Sequence, residues 1–174
     1  VPLVARTFRS LRHRDFRLYF AGQVVSFVGS WMQSTALMWL VYDLTADSRW
    51  PALMLVAAVG PTLVLGPFAG WLADRVPKRR LILGTQFAFL LNAIAFAVAV
   101  ASGRIDPVGL LLLQIANGLI QAIDLPARLS FVPDLIPRDD LINAVSLNAM
   151  AFNAARFLGP AVAGLVYLLV DGVQ

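Results

Sequence analysis

Five stretches of the chain, Phe16–Tyr42, Pro51–Ala73, Leu81–Ser102, Val108–Ala127 and Leu141–Val170, are dominated by apolar residues, each over the roughly 20 residues that a helix needs to cross a bilayer. Hydrocarbon offers no hydrogen-bond partner, and an α-helix satisfies its own N–H and C=O groups within one segment. The pattern therefore predicts an all-α integral membrane protein with one transmembrane domain over residues 1–174. Composition excludes the soluble alternative: 59% of the residues are hydrophobic and only 14% charged, too little polar surface to cover a water-facing domain of this size. The first span is too long for a signal peptide, and no clear small-residue cleavage site follows it.

The breaks between spans carry helix-end chemistry. Asp106-Pro107 reads as an N-cap followed by Pro at the first helical position, and Pro137 with Asp139 and Asp140 opens the fifth span. Trp39, Tyr42, Trp50 and Trp71 fall near span ends, where interfacial aromatics belong. Arg6, Arg9, Arg12, Arg14 and Arg17 precede or begin the first span, Arg75, Lys78, Arg79 and Arg80 separate the second from the third, and Arg128 and Arg138 lie between the fourth and fifth. The alternate loops hold only Arg49 and Arg104. This asymmetry predicts a cytoplasmic N-terminus and a cytoplasmic loop at Arg75–Arg80, with Asp43–Arg49 and Gly103–Asp106 outside. The net charge of +4 sits between apolar segments rather than on a polar surface, so nucleic acid is not an expected partner; the lipid bilayer is. The chain opens on Val rather than Met and is expected to lack its natural start.

Helical periodicity draws out polar stripes. Gln23, Ser26, Ser30 and Gln33 share one face of the first span, and Gln114, Asn117, Gln121, Asp124 and Arg128 one face of the fourth. Asn143, Ser146, Asn153 and Arg156 lie along one side of the fifth, while the third has only Thr85, Gln86 and Asn92 scattered among apolar residues. Such side chains should face protein or water rather than lipid; interhelical hydrogen bonding would account for them without any transport. Asp124 and Arg128, four apart, can pair on one helix face. Arg156 near the bilayer centre costs about 2.5–3.5 kcal/mol on insertion scales. Retaining it implies an anionic substrate group, a wet cavity or an internal carboxylate such as Asp124.

The loop "GWLADRVPKRR" between the second and third spans resembles the signature loop of the major facilitator superfamily. Gly70, Asp74, Arg75, Lys78 and Arg79 match its Gly-x-x-x-Asp-Arg-x-Gly-Arg/Lys-Arg pattern, with Pro77 in place of the second Gly. Physically, Gly70 would permit close helix approach, Asp74 would accept hydrogen bonds and the bases would anchor the loop in the cytoplasm. Nearly the whole chain, including "DFRLYFAGQVVSFVGSWMQSTALMWLVYDLT", is similar to bacterial exporters of the enterobactin-exporter and macrolide-efflux type. Gly159-Pro160 with Gly164 resembles the fifth-span antiporter motif, Ala155 and Ala163 replacing two of its Gly residues; helix packing alone would also use small residues there. Gln114 stands where many drug/proton antiporters carry Arg, and Ser30 where some cation exporters carry an acid.

The resemblance implies the N-terminal half of a secondary transporter, five spans of a six-helix bundle without the sixth, with the C-terminus outside. It implies a cytoplasmic gate at Gly70, Asp74, Arg75, Lys78, Arg79, Asp124 and Arg128, with Asp124 close enough to reach the Asp74–Lys78 loop. It also implies a cavity lined by Gln23, Ser26, Ser30, Gln33, Gln114, Asn117, Gln121, Asn153 and Arg156, through which a small amphiphilic substrate leaves the cell by alternating access across the bacterial inner membrane. The missing partner would be the C-terminal half or a second membrane subunit. A non-transporting membrane subunit or half-sized scaffold, or a lipid flippase on the same fold, would use the same helices. The chain has no cysteine, so no disulfide, thiol nucleophile or thiolate metal site is expected. No metal, nucleotide or other cofactor and no enzymatic activity is expected, with proton or other ion coupling left open. His13, in the basic N-terminal segment, is expected to be solvated.

Overall fold

The structure is a computed structural model that describes residues 8–103 and 105–171. Arg6, Arg104 and the terminal residues Val1 and Gln174 lie outside the described residues. The described residues contain five long helices: α1 (Arg14–Thr45), α2 (Arg49–Arg75), α3 (Lys78–Ala101), α4 (Pro107–Leu135) and α5 (Leu141–Asp171). Short 3-10 turns precede α1 (Arg9–Arg12) and α5 (Arg138–Asp140). Each helix is long and apolar enough to cross a membrane.

Local chemistry fixes where the helices begin and end. Asp106 Oδ1 accepts the Gly109 N–H at 3.1 Å, so the side chain satisfies a donor that the first turn of α4 leaves open. Between α1 and α2, Ala46 is the one described non-glycine residue with positive φ, at 50°; its N–H reaches the Tyr42 carbonyl at 2.7 Å and closes α1. Asp47 Oδ1 then accepts the Arg49 N–H at 2.9 Å, opening α2. The fourth helix runs past Ala127 to Leu135. Apolar length marks the hydrocarbon, not the helix, and the last two turns beyond Ala127 are held by packing of Val132 and Leu135.

The chain forms two compact units, residues 1–37 with 132–174, and residues 38–131. In the first, Phe16, Val132, Ile136, Ala144 and Leu147 make a buried cluster, joined by Leu11, Tyr19 and Phe20. Farther along α1, Phe27 and Trp31 each meet Phe152 of α5 edge-on, at centroid separations of 5.3 and 5.8 Å. In the second unit Ala73, Ile82 and Ala127 are buried together with Leu81 and Phe131 around them. Lipid is as apolar as Leu, so helices in a bilayer associate through close packing rather than by expelling water. The buried positions fit that rule: Ala57, Ala69, Ala73, Ala122, Ala127, Ala144 and Ala155 are among them. Large side chains point the other way, Leu63 being 77% exposed and Phe157 79%, an arrangement that suits hydrocarbon and not water.

Two glycines mark where backbones touch. A methyl group on Gly118 of α4 would fall 2.6 Å from the Ala57 carbonyl oxygen and 2.8 Å from that of Ala58, both on α2. One on Gly159 of α5 would collide with Trp31 Cβ and lie 3.1 Å from the Met32 nitrogen on α1. At Gly70, by contrast, an added methyl meets nothing within 4 Å. The close helix approach ascribed to Gly70 from the sequence is made by Gly118 in the same unit instead.

Candidate functional site

Asp124 and Arg128 are buried on one face of α4 and form an ion pair one turn apart. The Asp124 carboxylate also accepts from the Thr85 hydroxyl at 2.5 Å and from the Gln86 amide at 3.3 Å, both on α3. A buried carboxylate is tolerable only when its oxygens are paired and hydrogen-bonded, and here three donors from two helices share that task. Asp124 therefore joins α3 to α4 and leaves the Asp74–Lys78 loop to other contacts. Lys78 Nζ donates to the Ser130 carbonyl at 2.9 Å, tying the start of α3 to the end of α4. Asp74, Arg75 and Arg79 are exposed; the Arg75 guanidinium lies 4.3 Å from the centre of the Trp71 ring, within cation–π range. The loop bases thus flank the buried pair without neutralising it.

A second polar cluster gathers at the start of α5. Asp140 is 6% exposed; Arg9 Nε stands 2.8 Å from its Oδ1 and His13 Nε2 2.9 Å from its Oδ2. Asn143 Oδ1 accepts both the Ser10 N–H at 3.0 Å and the Ser10 hydroxyl at 2.7 Å. His13 is accordingly an engaged side chain rather than a solvated one. The sequence hides this because the partners are more than 120 residues apart. An open pocket of about 280 Å³ lies over the clamp.

The cavity residues inferred from sequence divide by environment. Gln23 and Gln114 are buried, Ser26, Gln33 and Asn117 are half-buried, and Ser30, Gln121, Asn153 and Arg156 are exposed. Asn153 donates its amide to the Ala149 carbonyl at 2.8 Å, within its own helix. Gln23 Oε1 and Asn148 Oδ1 are buried acceptors that receive no hydrogen bond. The Arg156 guanidinium lies 5.7 Å from the centre of the Trp31 ring. The Asp124 carboxylate has its partners within its own unit, Thr85, Gln86 and Arg128. Thr85 and Gln86, which the sequence shows only as scattered polar residues of the third span, supply the α3 contacts to Asp124. Their only signal was polarity within an otherwise apolar span.

One relationship concerns depth. Gln121 and Arg156 are the middle residues of α4 and α5, and Ser30 lies within one residue of the middle of α1. All three are exposed. The middle of α3 instead exposes Phe87, Leu90, Leu91 and Ile94, a surface made for lipid.

Five helices long and apolar enough to cross a bilayer, with a buried ion pair on one of them, define a multi-pass membrane protein. The chain belongs to the major facilitator superfamily: residues 5–173 match its family of transmembrane secretion effectors. It corresponds to the N-terminal half of such a transporter. Over 151 residues it is 26% identical to the staphyloferrin A transporter of Staphylococcus aureus, covering 86% of this chain and 38% of that protein. It is 26% identical to YfiS, an uncharacterized MFS-type transporter of Bacillus subtilis, over 83% of this chain and 34% of that one. A protein named for multidrug resistance, MdtD of Escherichia coli, is 28% identical over 82% of this chain and 31% of its own length. The chain thus spans about a third of the length of the curated relatives it matches. No solved structure matches it.

Proposed function

We propose that this chain supplies the N-terminal half of a secondary transporter that exports a small amphiphilic molecule by alternating access. The observation that carries the reading is the exposure of Ser30 and Arg156 at the middle of α1 and α5. Exposed polar groups at that depth are costly against lipid, and transporters of this architecture bind substrate near the bilayer midplane. The apolar middle of α3 faces lipid, as a helix outside the cavity would.

In this reading the transporter lies in the bacterial inner membrane with its N-terminus cytoplasmic, and a C-terminal half completes the cavity. Asp74, Arg75 and Arg79 act on the cytoplasmic gate, and the Asp124–Arg128 pair holds α4 to α3 behind it. Coupling is to a proton or other ion gradient. The relatives named as a staphyloferrin A transporter and a multidrug resistance protein support transport of a small molecule.

The test is transport by the full-length protein in inside-out vesicles, followed with a fluorescent amphiphile after an ion gradient is imposed. Uptake that collapses with the gradient is expected, and Asp74→Asn should slow it while leaving insertion unchanged. Absence of gradient-dependent uptake across a panel of anionic, neutral and cationic amphiphiles would overturn the reading.

A further inference from the structure

Arg156 occupies the most expensive position a cation can take in a membrane helix. It stands fifteen residues from each end of α5, Leu141 and Asp171, or about 22 Å of helix either way. It is exposed, and no carboxylate lies within ion-pair distance of it among the described residues. Its one close partner is aromatic: the guanidinium carbon sits 5.7 Å from the centre of the Trp31 ring. Trp31 is in turn braced edge-on by Phe152, and Phe152 by Phe27. Gly159, one turn beyond Arg156, brings the α5 backbone against the Trp31 Cβ and the backbone of Trp31 and Met32.

We propose that Arg156, Trp31 and Phe152 form a subsite for an anionic substrate group, a carboxylate or similar oxyanion attached to a flat apolar moiety. This rests on the transport reading above and specifies its substrate class. A cation over an aromatic face is held by the ring quadrupole without losing its charge. The N–H edge of the guanidinium stays free, and that edge is the fork that engages a carboxylate through two parallel hydrogen bonds. The exposed Phe152 ring, set edge-on to the half-buried Trp31, offers the substrate's flat portion an aromatic surface beside the fork. An anion arriving there meets the charge of the guanidinium directly. Recognition is therefore strongest for an acid, weaker for a neutral isostere and weakest for a cation.

The experiment uses the full-length protein in lipid nanodiscs and three probes of one shape: 4-(1-pyrenyl)butyrate, its neutral amide and the corresponding primary ammonium. Binding is read from probe fluorescence after subtraction of empty discs. Wild-type protein should bind the butyrate about tenfold or more tighter than the amide. Arg156→Gln should abolish that preference while leaving amide affinity in place. Arg156→Lys should retain part of it, keeping the charge without the fork, and Trp31→Leu should weaken both the butyrate and the amide. Equal binding of the three probes to wild type, or no binding of any, would overturn the proposal. So would a butyrate preference that persists in Arg156→Gln or, where that variant does not fold, an undiminished one in Arg156→Lys. Gradient-driven uptake of the ammonium that is indifferent to Arg156 overturns the subsite and leaves the transport reading standing.

Discussion

His13 Nε2 lies 2.9 Å from Oδ2 of Asp140, a contact that ties the segment ahead of α1 to the turn that opens α5. Arg9 holds the other oxygen of the same carboxylate. Asp140→Asn removes the anion from both partners and leaves the Ser10–Asn143 bonds in place. Because Arg9 is 56% exposed on its side chain, the cost should fall toward the lower part of about 1–3 kcal/mol. Trypsin cleavage after Arg9 or Arg12 measures it, since each 1.4 kcal/mol of local opening is about tenfold in rate. An unchanged cleavage rate would show that Asp140 does not hold the segment.

Gly118 and Gly159 should be intolerant of even one methyl group. At Gly118 the obstructing atoms are backbone carbonyl oxygens of Ala57 and Ala58, which cannot rotate aside, so α4 must move off α2. Gly118→Ala and Gly159→Ala should each cost about 1–3 kcal/mol through overpacking. Gly70→Ala meets open space and should be neutral or slightly stabilising, since Ala is the better helix former. Thermal unfolding of the three variants in one detergent checks the order.

Asp124→Ala should be among the most damaging single changes in the second unit. It strands a buried Arg128 and leaves Thr85 and Gln86 without their acceptor; breaking a buried pair in this way costs about 3–5 kcal/mol. Arg128→Leu strands the carboxylate instead. The double variant should be less damaged than the sum of the two, and a double-mutant cycle on thermal stability measures the coupling. Additive losses would mean the two side chains act independently.

Orientation can be read with cysteines introduced into these 174 residues, which contain none. Arg80 is exposed at the start of α3, and Ser48 is exposed between α1 and α2. In intact cells an impermeant maleimide should label Ser48→Cys and spare Arg80→Cys, which reacts only after permeabilisation. Labelling in the reverse order would invert the topology drawn from the loop bases. Arg80 is the better probe than Lys78, whose ammonium already bonds Ser130.

The helix count, the cap at Asp106 and the Asp124–Arg128 pair were legible because each depends on residues close in sequence. Spacing alone puts residues four apart on one face. Apolar length is a direct readout of the solvent, so a run such as Val108–Ala127 announces itself, although it understated α4 by the turns that extend beyond the hydrocarbon to Leu135. Thr85 and His13 were not legible. Each has its contact from a carboxylate supplied by another helix or turn, distant in sequence.

Sequence by itself determined that these residues form membrane-spanning helices, since hydrocarbon forbids unsatisfied backbone and basic residues resist crossing it. It also placed Arg156 well inside the fifth span, because position along a helix follows from counting residues at a constant rise. Tertiary structure alone decided which side of each helix meets a neighbour. Successive residues turn by about 100°, so a small rotation exchanges a buried face for an exposed one at almost no cost in propensity. That rotation gave Asp124 to Thr85 and Gln86, brought Arg156 over Trp31, and made Gly118 rather than Gly70 the point where two backbones meet.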